Sequence, residues 1–159
     1  MLPRGITGFN VPKGHPRADP KGFLEDCQRV VAPFSGCVED RPQVLAPDLV
    51  NFLTQVLVFP GAEVTALLNR HYSWLGFCRP LVPGDSQLEF VDPRPRRLAD
   101  SFAALGRYRV LSREELDQPV TEAMCMALGR DEVYQLGYWS KLSRPDTIRV
   151  GAVVFNFWD

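Results

Sequence analysis

The sequence predicts an α+β fold, with one mixed or antiparallel sheet and helices packed mainly on one of its faces. Three observations lead there. Asn51 to Phe59 reads NFLTQVLVF, apolar on both alternating faces and rich in valine and phenylalanine, the pattern of a strand covered on both sides. Pro20 to Val31 carries Phe23, Leu24, Cys27, Val30 and Val31 at helical spacing on one face. Strand-type and helix-type patterns then follow one another without the βαβ rhythm of a parallel sheet.

In chain order, Gly5 to Asn10 holds Ile6, Thr7 and Phe9 and suits a short strand, and Val11 to Pro20 is a proline-rich loop. Asp19-Pro20 reads as an N-cap followed by proline at the first helical position, and Pro33 ends the helix. Phe34 to Val38 suits a short strand, and Asp40 to Asp48 is irregular. After the strand at Asn51 to Phe59, Pro60-Gly61 fits the central pair of a type II turn. Ala62 to Leu68 then returns as the hairpin partner. The rival reading is a helix over Glu63 to Tyr72, because Val64, Leu67, Leu68 and His71 also fit helical spacing.

Further on, Arg79 to Asp85 is a turn-rich connection and Gln87 to Val91 a short strand. Leu98, Phe102 and Leu105 mark a helix that Gly106 stops. Tyr108 to Leu111 suits another short strand, and Ser112 to Glu115 matches the capping box that opens a helix. Val120, Ala123, Met124, Ala127 and Leu128 make an amphipathic face closed by Gly129. Asp131 caps a last helix through Val133 and Leu136, Ser140 to Thr147 is a polar loop, and Ile148 to Asp159 is an apolar strand.

Composition bounds the function. At 159 residues one domain is expected. The 45% hydrophobic and 23% charged residues exclude a disordered chain. A net charge of −1 gives no field that steers nucleic acid or an anionic membrane to the chain as a whole, and no run approaches the ~18 apolar residues of a span. Neither kind of partner is expected. The first residues, MLPRGITGFN, lack the apolar core of a signal peptide, and Cys27, Cys37, Cys78 and Cys125 show no CxxC pairing. A cytoplasmic protein with free thiols is the expectation.

Catalytic signatures are sparse. The chain has no GxGxxG, no GxxxxGK[ST], no GxSxG and no HExxH. Two histidines, His15 and His71, and unpaired cysteines give no zinc spacing, so neither a metal nor a cofactor is expected. Cys27 and Cys125 sit among apolar neighbours as small hydrophobes, and Glu39-Asp40 beside Cys37 disfavours a thiolate. The remaining candidates are recognition residues. Asn69, Arg70, His71, Tyr72 and Trp74 interrupt the apolar run with polar and aromatic groups; core packing is the competing reading for Trp74. Arg94, Arg96 and Arg97, with Arg107 and Arg109 nearby, form the one local basic cluster, suited to phosphate or acidic side chains, or else solvated and paired with Asp92 and Asp100. Tyr138 and Trp139 border a polar loop, where amphipathic rings are partly exposed.

Two fragments carry a resemblance. Ala66-Leu67-Leu68-Asn69-Arg70-His71-Tyr72 and the segment Gly151-Ala152-Val153-Val154-Phe155-Asn156-Phe157-Trp158-Asp159 resemble the immunity proteins of bacterial toxin systems. The resemblance implies a binding protein that blocks a cognate toxin by occupying its active site or holding it inactive; the near-neutral charge argues against a nuclease as that toxin. A protein-binding or inhibitor module is the leading expectation. The alternative is a small-molecule-binding or enzymatic domain with a pocket near Arg70, His71 and Tyr72.

Overall fold

The structure, a computed structural model, describes residues 1–40, 50–82, 88–142 and 148–156. Its centre is a mixed sheet of β1 (Cys37–Glu39), β2 (Phe52–Phe59), β3 (Ala62–Asn69), β4 (Trp74–Cys78) and β5 (Arg109–Val110), in that spatial order. Successive pairs from β1 to β4 are antiparallel, and β5 runs parallel to β4.

The hairpin expected at Pro60-Gly61 is present. Phe59 pairs with Ala62 and the register continues to Phe52 opposite Asn69. Gly61 takes φ 75°, a left-handed value that glycine adopts without a Cβ penalty. Residues 63–72 are therefore not a helix. β3 has a hydrogen-bonded neighbour on each side, and this pairing outweighs the helical spacing of its apolar residues. In β2, Phe52, Leu53, Leu57 and Phe59 are buried, while Val56 and Val58 are half-buried.

Six helices are described: α1 (Pro20–Val31), α2 (Leu98–Ala104), α3 (Arg113–Asp117), α4 (Glu122–Cys125), α5 (Arg130–Leu142) and α6 (Val150–Val154). The Asp19 side chain accepts from Lys21 N–H at 3.0 Å to cap α1, and Pro33 lies in the 3-10 turn that follows it. Gly106, at φ 70°, follows α2, and the Ser112–Glu115 capping box opens α3 with both reciprocal bonds made. The α+β class thus holds, but the helices are not gathered mainly on one face. Phe23 and Cys27 of α1 and Leu98 and Phe102 of α2 pack on Leu57 and Phe77. Leu116 of α3, Val153 of α6 and Phe155 pack on Phe52 and Leu67, from the opposite face. Alternate residues of β3 are apolar on both sides, so each face needs cover.

Three segments expected as strands differ. Gly5 to Asn10 forms turns, with Gly5, Gly8 and Asn10 at φ 86°, 93° and 52°. Residues 88–91 make one isolated bridge, Phe90 to Cys78. Val150 to Val154 is a short helix and not a strand, nor does it partner β2, whose neighbours are β1 and β3. The helical turn buries Val150, Gly151, Val153 and Val154 together beside Phe155, while Ala152 alone faces water. A strand's alternation would have exposed half of that apolar run. Of the irregular segment expected at Asp40 to Asp48, residues 41–48 fall outside the described residues, as do 157–159; of the polar loop expected at Ser140 to Thr147, residues 140–142 belong to α5 and 143–147 fall outside the described residues.

Gly151 fits because a Cβ there would lie 2.2 Å from the Phe90 ring. Gly151→Ala is expected to cost about 1–3 kcal/mol by overpacking, despite alanine's better helix propensity, as read from urea denaturation midpoints.

Candidate functional site

The polar residues at the end of β3 belong to a buried network that closes one end of the sheet. Asn69 is fully buried at 0% exposure, and its Oδ1 accepts from the His71 and Tyr72 N–H groups at 2.9 and 3.0 Å. Its Nδ2 donates to the carbonyls of Ile6 and Val154 at 2.9 and 2.6 Å. Asn51, just before β2, donates to the same two carbonyls at 2.8 and 3.1 Å, and its Oδ1 accepts from Asn156 N–H at 2.8 Å. Asn156 Nδ2 donates in turn to the Thr7 carbonyl at 2.8 Å. Three buried asparagines thus bind the N-terminal turns to the end of α6, where no ladder supplies partners.

Glu132 completes this network from α5. It is fully buried and has no cation against it among the described ion pairs. Its carboxylate accepts from Gly5 N–H at 2.9 Å, Thr7 Oγ1–H at 2.7 Å and Gly129 N–H at 2.8 Å. Converging neutral donors replace the water that an ionised carboxylate would lose. The turns at Gly5 to Asn10 present the Gly5 and Thr7 N–H groups to this carboxylate, while the N–H groups of Ile6 and Gly8 bond to the Pro3 and Gly5 carbonyls within the turns.

The remaining residues of the far hairpin arm are half-buried around this network. Arg70 Nε donates to the Phe52 carbonyl at 3.3 Å. His15 Nε2–H donates to the His71 carbonyl, and the Tyr72 hydroxyl donates to the Arg4 carbonyl. The Tyr72 ring lies 4.6 Å from His15 and 6.4 Å from Trp74, whose own face carries the Arg109 guanidinium at 4.3 Å. His71 Nδ1 is buried with no hydrogen-bond partner among the described residues. Burial holds the His71 pKa below 6.5, helped by the nearby charges of Arg17, His15 and Arg70. Tyr72 thus reaches the N-terminal segment at Arg4 and His71 holds His15, whereas the Arg70 side chain stays on the sheet at Phe52; none of the three lines the cleft beside α2.

That cleft, about 920 Å³ in volume, opens between α2, the start of β3 and the β5–α3 segment. Arg94 and Arg96 lie on its wall, whereas Arg97 is the exposed N-cap of α2 and does not. The basic cluster read from the sequence is thus divided. Arg107 pairs with buried Asp26 at 3.1 Å, and Arg109 pairs with Glu115 at 3.3 Å while stacking on Trp74. Asp26 also accepts from the Tyr108 hydroxyl at 2.6 Å, which joins α1 to the segment before β5. Burial and that bond both push the Tyr108 pKa up.

Tyr138 lies on α5 at 53% exposure; Trp139 belongs to the same helix, but its side chain falls outside the described residues. Glu132 and Leu136, one turn apart, seat the helix. The opposite stripe carries Tyr134 at 76% exposure and Tyr138, with Val133 at 47% beside them and Met126 at 78% just after α4. Tyr134, Met126, Glu132 and Asn51 were not singled out from the sequence. Helical spacing carries a signal for two of them: Glu132 shares a face with Leu136, which places Tyr134 with Tyr138 on the other side.

No thiol site emerges among the described residues. Cys27 and Cys78 are buried, and burial pushes the Cys78 pKa up to about 12 and that of Cys27 higher still. Cys37 is exposed at the sheet edge. The described residues contain no group of His, Cys, Asp and Glu that could hold a metal ion, and no described helix is long and apolar enough to cross a membrane. No protein-family model matches the chain, and no curated protein and no solved structure matches it either.

Glu132→Gln turns one acceptor into a donor facing backbone N–H groups, and a loss of roughly 2–4 kcal/mol is expected in chemical denaturation. Thr7→Val should couple strongly to it in a double-mutant cycle. His71 has a folded pKa below its unfolded 6.5. The unfolded chain therefore binds the proton first on acidification, and the stability His71 contributes is present above 6.5 and lost as pH falls toward its folded pKa. His71→Gln is expected to flatten the fall in melting temperature across that window, read by scanning calorimetry at stepped pH.

Proposed function

We propose that the chain is a protein-binding module and that the outward stripe of α5 is its contact surface. We further propose that it acts in the bacterial cytoplasm as an immunity protein that neutralises a cognate toxin. The observation that carries the binding role is the exposure of Tyr134 and Tyr138 one turn apart on a helix held from behind by a buried carboxylate. Tyrosine supplies large amphipathic contact area at low entropy cost, and rigid aromatic anchors dominate the energetics of interfaces. Val133, on the same helix, adds exposed apolar surface of the kind that marks protein contacts.

The fragments that resemble immunity proteins support the finer reading, and they meet in space. Asn69, from the first, donates to the carbonyl of Val154 in the second at 2.6 Å. Occlusion of the toxin by the α5 face requires only a preformed surface and no chemistry from this chain.

Affinity capture of the tagged chain from its native host is expected to retain one stoichiometric protein partner whose toxicity it suppresses. Tyr134→Asp combined with Tyr138→Asp should weaken that capture by about 100-fold or more while leaving the melting temperature within a few degrees, because both side chains face solvent. Recovery of the chain alone, or undiminished capture by the double variant, would remove the support for this function.

A further inference from the structure

We propose that the cleft beside α2 is a binding site for a small organic oxyanion with an apolar body, such as a carboxylate or phosphate ester bearing an aryl or alkyl group. Its volume, about 920 Å³, falls within the ~300–1,000 Å³ of small-molecule sites. The floor is apolar because both walls present small side chains: Ala99 and Ala103 of α2 face Ala62 and Val64 of β3 and Val110 of β5. Val64 is buried, and Ala99 and Val110 pack against the core beneath, so the floor is anchored.

The charges around the mouth identify the head group. Arg79 is paired with Glu89 at 3.0 Å, and Arg113 with Asp117 at 3.2 Å. Glu115 is held by Arg109 at 3.3 Å and by its own helix cap, and Asp92 accepts from the Arg113 N–H at 3.1 Å. Arg94 and Arg96 have no ion-pair partner among the described residues, and both line the cleft. Three carboxylates share the lining with them: Asp100, one turn after Arg96; Asp92, held by the Arg113 N–H; and Glu63, which has a contact of its own. Two free guanidiniums above an apolar floor suit an oxyanion whose body enters the cleft, because guanidinium forks match carboxylate and phosphate oxygens. The site shares no residue with the α5 stripe, so it stands or falls independently of the protein-binding role.

The test uses the full-length chain, ¹⁵N-labelled, titrated with phenyl phosphate and with phenylacetate; benzyl alcohol and inorganic phosphate serve as the uncharged and body-free controls. Saturable shifts are expected at the amides of Ala99, Ala103 and Val110 with at least one aryl anion, with both controls about tenfold weaker or worse. The tighter of the two anions identifies the head group. Arg94→Gln with Arg96→Gln should lower that affinity about tenfold or more at unchanged melting temperature, and Ala99→Phe should block the cleft with both arginines intact. The proposal fails if neither anion gives saturable shifts up to about 20 mM, if the shifts map elsewhere, if either control binds equally well, or if the arginine pair is dispensable.

Discussion

The structure depends on a buried carboxylate. Glu132 has no exposed surface and is neutralised by no cation among the described residues, so its desolvation must be offset by hydrogen bonds alone. Those bonds come from the Gly5 and Gly129 N–H groups and from Thr7. They impose left-handed turns on the N-terminal segment and fix the rotation of α5 about its axis. Asn51, Asn69 and Asn156 extend the same requirement to the sheet end and to α6. The rotation of α5 in turn directs Tyr134 and Tyr138 to solvent. A buried polar constraint on one side of a helix thereby determines which residues the other side offers to a partner.

The opposite face of the sheet is organised by apolar packing. Phe23, Cys27, Leu98 and Phe102 pack with residues from β2, β3 and β4, and the buried carboxylate there among the described residues, Asp26, is paired with Arg107 and accepts from Tyr108. On this side the cleft opens where Ala99 and Ala103 of α2 present small side chains, and Arg94 and Arg96 at its mouth are exposed to water.

Much of the fold was legible because local rules dominated. The Asp19 cap, Pro33, the Pro60-Gly61 turn, Gly106 and the Ser112–Glu115 box each act within a few residues, and the α+β class follows from their order. The misreadings fall where long-range partners override local pattern. Val150 to Phe155 has strand composition but is helical, because that geometry turns its apolar residues inward together. The turns at Gly5 to Asn10 are set by a glutamate far along the chain. In the site, Asn69 to Tyr72 was correctly marked as an interruption of the apolar run; its contacts run largely to the N-terminal turns. The division of the arginines was invisible in sequence, since Arg107 and Arg109 find their carboxylates only after folding.

The network also sets an order of events for the nascent chain. The bonds from Gly5 to Glu132 and from Asn156 to Thr7 span 127 and 149 residues. The hairpin of β2 and β3 can assemble as soon as it emerges, but Asn51 and Asn69 then have only one of their two carbonyl acceptors, that of Ile6, until residue 154 is available. Until then the sheet end is open, with unsatisfied amides and an uncovered Phe52. Closure is therefore a late, loop-entropy-limited step. During synthesis, the interval before α6 docks is the period in which the chain most needs protection from aggregation.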